Sequence, residues 1–76
     1  MAKFNGHKNW NHWNVSLWIL NDENLYRIAK ESVQDAATKD QAAHDMLHRL
    51  GLSGVTKTPD GAPYAVSSIR AAMVDL

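Results

Sequence analysis

The chain has 76 residues, eight Lys plus Arg against eight Asp plus Glu, and no cysteine. That length holds one domain, 1–76, and a domain so small buries only about 60% of the surface its unfolded chain exposes, so its core must be thin. No disulfide framework or thiolate metal site is possible, and zero net charge argues both against a non-specific DNA binder and against an acidic charge mimic of DNA.

Residues 1–7 carry Lys3 but no apolar run, so no signal peptide is expected. The longest apolar candidate, 15–20, is interrupted by Ser16 and is far too short to span a bilayer. With the absence of cysteine, this fits a reducing, cytoplasmic setting. Lys3, His7, Lys8 and His12 make the N-terminal end mildly basic.

A first helix is expected over 10–20. Trp10, Trp13, Leu17 and Leu20 fall on one face, and Val15, Trp18 and Ile19 on an adjoining one. Because a helix apolar nearly all round is usually a buried one, this segment reads as the central element. Trp13, Leu17 and Leu20 are expected to be almost fully buried, Trp18 to lie in the core, and Trp10 to be partly exposed. A second helix is expected over 22–36, opened by Asp22 and Glu23, which suit the positive end of the helix dipole. Its apolar stripe is Leu25, Ile28, Ala29, Val33 and Ala36, while Glu23, Arg27, Lys30 and Glu31 face water.

The third helix, 39–50, has the clearest start: Thr38 to Gln41 reads as a capping box. Ala43, Met46, Leu47 and Leu50 form its core stripe. Gly51 is expected to be its left-handed stop, with Leu52 folding back on the last turn. Pro59-Asp60-Gly61 gives turn chemistry. A fourth helix is expected over 63–75 from the spacing of Val66, Ile69, Met73 and Leu76. The competing reading is a β-hairpin about Asp60-Gly61. The fold class is therefore all-α, a compact bundle of three to four short helices around a Trp-rich N-terminal helix.

Few residues suggest chemistry. His44 and His48 stand four apart, as in zinc proteases, but the residue beside His44 is Asp45 rather than Glu, and no third ligand or cleft is evident. They share a face with Asp40 and Gln41, which reads as a polar outer face without metal. No phosphate-binding loop, nucleophile set or cofactor motif is present, so a non-enzymatic protein without cofactor is expected. Trp10, Trp13 and Trp18 can anchor a partner or fill a thin core.

The stretch 5–22, from Asn5-Gly6 through Trp13-Asn14-Val15-Ser16-Leu17-Trp18 to Asn21-Asp22, followed by Leu25-Tyr26, resembles a family of small proteins common in phages and conjugative plasmids. Its signature has the form N-G-x-x-N-Y-x-T-W-N-V-x-L-W-I-x-N-D. Trp10 stands where Tyr is usual, and His12 where Thr is usual. The missing Thr is a natural cap, so the helix start is expected to shift or to be capped by Asn9 or Asn11. Genes of this kind often lie among those by which mobile elements counter host immunity. The resemblance therefore implies an anti-CRISPR-like inhibitor, acting in the cytoplasm of a bacterial host by covering a protein surface, with a CRISPR–Cas effector subunit as one partner it suggests.

The contact is expected at Lys3, His7, Lys8, Trp10 and His12, where cations and an aromatic combine. The alternative contact is Arg27, Lys30, His48 and Arg49. Two other functions compete: a nucleic-acid-binding regulator using Lys39, His44, His48 and Arg49 or the basic N-terminus, and a self-associating accessory protein. A monomer or weak homodimer is expected, with neither direct nucleic-acid nor membrane binding.

Overall fold

A computed structural model describes residues 9–74 and 76. The chain folds into four helices: α1 (Trp10–Asn21), α2 (Glu23–Asp35), α3 (Lys39–Leu52) and α4 (Val66–Ala72). α1 packs on α2 and α4, and α3 packs on the same two, so the helices close a ring in chain order. The all-α bundle expected from the sequence is thus the observed architecture. No helix among the described residues is long and apolar enough to cross a membrane.

Local chemistry sets the helix ends. Asn9 caps α1, its Oδ1 accepting from the His12 amide at 3.0 Å; position 12 lies inside the helix, so the expectation that a Thr there would be its cap is corrected. Asp22 is both the C-cap of α1 and the N-cap of α2. Its amide donates to the Trp18 carbonyl at 2.9 Å, and its carboxylate accepts from the Leu25 amide at 3.0 Å. One residue therefore makes the corner between two helices. Thr38 caps α3 through its Oγ1, which accepts from the Gln41 amide at 3.1 Å.

The end of α3 corrects the sequence reading. Gly51 is helical, and Leu52, expected to fold back, is 76% exposed. The left-handed residue is Gly54, at φ 75°. The Val55 amide reaches the Leu50 carbonyl at 2.9 Å, and the Gly54 amide the Gly51 carbonyl at 3.0 Å. This is a Schellman closure, and Val55 supplies the apolar return onto the core. Two Gly-apolar pairs stand three residues apart, and only the second places its apolar residue against the bundle.

The linker 53–65 reconciles the two readings of the C-terminal third. The Gly61 amide bonds the Thr58 carbonyl at 2.9 Å, the Thr58 amide the Ala62 carbonyl at 2.8 Å, and the Tyr64 amide the Thr56 carbonyl at 3.0 Å. With the Lys57–Pro63 antiparallel bridge, these make a minimal hairpin whose tip is Pro59-Asp60-Gly61. Gly61, at φ 96°, takes the left-handed position that such a tip needs. Because Pro63 and Tyr64 are held in this pairing, α4 starts at Val66 rather than at residue 63.

The core sits at the centre of the ring. Val15 and Ile19 of α1, Met46 of α3, Ile69 of α4 and Met73 at its C-cap are fully buried. Small residues line the neighbouring surfaces: Ala29 and Ser32 on α2, Ala42 and Ala43 on α3. α2 adds half-buried Leu25, Ile28 and Val33. Ion pairs lie outside, Arg49 with Glu31 at 3.7 Å and Asp35 at 3.5 Å, and Arg70 with Asp40 at 3.0 Å.

Candidate protein-binding face

α1 carries two apolar faces, and the bundle buries the one opposite to expectation. Val15 and Ile19 point inward. Trp10, Leu17 and Leu20 are 38%, 40% and 47% exposed, and Trp13 is half-buried. The expectation that Trp13, Leu17 and Leu20 are almost fully buried is therefore corrected, and Trp18 is half-buried rather than core. A 76-residue chain has too few helices to surround one of its own, since α2 and α4 cover only part of α1.

Hydrogen bonding decides which face turns in. Asn14, 1% exposed, donates from Nδ2 to Asp60 Oδ2 at 2.8 Å and accepts on Oδ1 from Thr58 Oγ1 at 2.6 Å. Trp18 Nε1 donates to the same Asp60 oxygen at 3.0 Å. Thr58 Oγ1 also accepts from the Ala62 amide at 3.0 Å. The hairpin tip is thereby seated on α1, and every polar group it covers on Asn14 and Thr58 finds a partner. The Asn14 bond, then that from Trp18, holds the Asp60 carboxyl below the usual carboxylate range. Tyr64 follows in the hairpin's return arm, where burial and then the Asp22 charge push its phenol up.

The outward stripe runs Trp10, Trp13, Leu17, Leu20. Between Asn9 and Asp22, α1 contains no Asp, Glu, Lys or Arg. Leu17 and Asn21 border two shallow depressions, one lined by Trp13, Ser16, Leu17, Leu20 and Asn21, the other by Leu17, Trp18, Asn21 and Asp22. Asn21 Nδ2 is turned back onto the Leu17 carbonyl at 2.7 Å, closing the helix end beneath Leu20. An aromatic and aliphatic stripe of this kind is the chemistry of a protein-binding surface.

Of the N-terminal contact residues, Lys3, His7 and Lys8 lie outside the described residues. Trp10 is exposed as expected and opens the stripe, and His12 is half-buried in the same turn. The alternative set is distributed over two helices. Arg27 and Lys30 are exposed on α2, where Lys30 Nζ sits 5.5 Å from the centroid of the Tyr26 ring. His48 is exposed on α3, whereas Arg49 is committed to Glu31 and Asp35. His44 is exposed on α3, and Lys39 donates to the Val74 carbonyl at 2.6 Å, tying down the C-terminal end. Among the described residues, no group of three or more His, Asp or Glu side chains is placed to hold a metal ion.

Leu17 and Leu20 are surface residues that sequence reasoning assigned to the core. The partners that let Asn14 turn inward, Asp60 and Thr58, lie far along the chain, so nothing within α1 itself marks which of its two faces is buried.

No curated protein and no solved structure matches the chain. One family model does, along its whole length, residues 1–76. The chain belongs to that family, a family of unknown function (DUF7249).

Proposed function

We propose that this is a non-catalytic protein-binding module, encoded by a phage or other mobile element, that antagonises a bacterial defence complex of the CRISPR–Cas type. The observation that carries the protein-binding part is the charge-free stripe Trp10, Trp13, Leu17, Leu20, presented on a helix clamped at both ends. The resemblance of residues 5–22 to small phage and plasmid proteins supports the anti-defence part. Inhibition is then stoichiometric: the stripe covers a subunit surface and blocks nucleic-acid access or subunit recruitment. Direct nucleic-acid binding is disfavoured, because the net charge is zero and Arg49, Arg70 and Lys39 are engaged within the chain.

The test is expression in a bacterium carrying CRISPR–Cas immunity, read as plating of a targeted phage. The parent chain restores plating, and Leu20→Glu, on the stripe, abolishes the restoration while keeping the helical circular dichroism. Lys3→Glu with Lys8→Glu, and Arg27→Glu with Lys30→Glu, weaken it less. Full restoration by a folded Leu20→Glu chain overturns the α1 assignment. No restoration by the parent overturns the anti-defence reading.

A further inference from the structure

The stripe on α1 is palindromic. Trp10 and Leu20 stand five residues either side of Val15, and Trp13 and Leu17 stand two either side of it. We infer that the stripe pairs with a second copy of this chain, the two α1 helices lying antiparallel about a two-fold axis at the level of Val15. This rests on the reading of α1 as a protein-binding face and names its partner.

In that register each Trp meets a Leu. Trp10 lies against Leu20 of the second copy, and Trp13 against Leu17 of the second copy, so large and small side chains alternate along the seam. The depression lined by Trp13, Ser16, Leu17, Leu20 and Asn21 contains the i, i+3, i+4, i+7 set of the hole that receives a side-chain knob in helix pairing. The two-fold places Trp13 of the second copy over it. Ser16 at its floor is small and leaves room for the indole.

Charge favours the same occupant. Isologous pairing sets a surface against itself, so any charge near the axis meets its own kind. α1 has none. A surface shaped for a charged partner would show complementary charge, and this stripe shows nothing to complement. The antiparallel arrangement also sets each α1 dipole against its opposite. The helix has twelve residues, about 18 Å, and a standard interface buries about 800 Å² on each partner. A seam of twelve residues falls short of that area, so the pair is weak. A target that engages the stripe displaces one copy of the dimer.

Sedimentation equilibrium of the purified chain, from low micromolar to millimolar concentration, tests this. The mass is expected to rise from one chain to two and no further, and Leu17→Glu, which places carboxylates beside the axis, is expected to stay at one. A parent that remains monomeric throughout overturns the inference. So does a Leu17→Glu chain that still dimerises, which assigns the contact to another face. Should Leu17→Glu fail to fold, a second pair of variants decides. Trp10→Cys chains mixed with Leu20→Cys chains and oxidised are expected to give mainly the mixed covalent dimer, because like positions are separated by about 15 Å along the axis. Equal yields of like and mixed dimers overturn the register. The binding-face reading fails separately: a monomeric parent whose Leu17→Glu variant loses phage protection leaves that reading standing. A dimer disrupted by Leu17→Glu with protection intact removes it.

Discussion

The Trp18 indole donates to Asp60 Oδ2 at 3.0 Å across 42 residues of sequence, and Asn14 donates to the same oxygen at 2.8 Å. These bonds seat the hairpin tip on the Asn14–Trp18 flank of α1, Val15 and Ile19 turn into the core, and Leu17 and Leu20 are left at the surface.

That arrangement has a pH signature at each end. Asp60 titrates below the usual carboxylate range in the fold. Its contribution is complete above the ordinary Asp value of about 3.9 and is lost as pH falls through the lowered folded value. Tyr64 is shifted up, so its contribution is complete below the ordinary Tyr value of about 10 and is lost as pH rises through the raised folded value. Thermal melts of the parent and Asp60→Asn across acid pH are expected to differ most near neutrality and to converge in strong acid. A constant difference at every pH would show that the charge on Asp60 has no part in holding the hairpin.

The two faces of α1 make contrary predictions. Ile19, fully buried, should lose about 2–5 kcal/mol on replacement by Ala. Leu17→Ala should cost under about 1 kcal/mol, since most core contacts are absent. Trp13→Ala should fall short of the roughly 3–5 kcal/mol of a fully buried Trp. Denaturant melts of the three variants rank them, and a Leu17→Ala loss as large as that of Ile19→Ala would restore the face expected from periodicity.

Much of this fold was legible from residue chemistry. Asp22 and Thr38 announced the starts of α2 and α3, and the stripe of α2 was read correctly, because it has one apolar face and so one choice; of the α4 stripe only Val66 and Ile69 lie in the helix, which ends at Ala72 rather than at residue 75. α1 has two. Periodicity gave both and preferred Trp10, Trp13, Leu17 and Leu20 for their size, while the deciding bonds reach residues more than 40 positions away. Within the string 13–18, Asn14 and Trp18 hold the hairpin and Val15 enters the core, whereas Trp13 and Leu17 lie along the outer stripe. The candidate face was thus half legible: the exposure of Trp10 was expected, and that of Leu17 and Leu20 was hidden by the assumption that large apolar residues go inside.

Ser32 on α2 is fully buried, and its hydroxyl finds no hydrogen-bond partner. An unsatisfied buried hydroxyl costs about 1–3 kcal/mol, while Ala removes it and has higher helix propensity. Ser32→Ala is expected to raise the melting temperature. A drop would show that the hydroxyl is satisfied in solution, and a buried water is the natural candidate.

The two glycines at the end of α3 should respond in opposite directions to the same change. Gly51 is helical, and an added Cβ meets nothing within 4 Å. Ala there gains helix propensity, so Gly51→Ala is expected to stabilise the chain by about 0.5–1 kcal/mol. Gly54 also has open space around it, but its φ of 75° lies in the left-handed region, where an L side chain costs roughly 1–2 kcal/mol. Gly54→Ala is expected to destabilise by about that amount, with Gly54→Asn intermediate because Asn tolerates the left-handed conformation best. Steric crowding cannot produce the difference, since neither site is crowded, so the comparison isolates backbone conformation. Chemical denaturation of the three variants reads it directly. If Gly51→Ala destabilised and Gly54→Ala did not, the stop would lie at Gly51, Leu52 would fold back as its sequence pattern suggests, and the Val55 contact with the core would be lost.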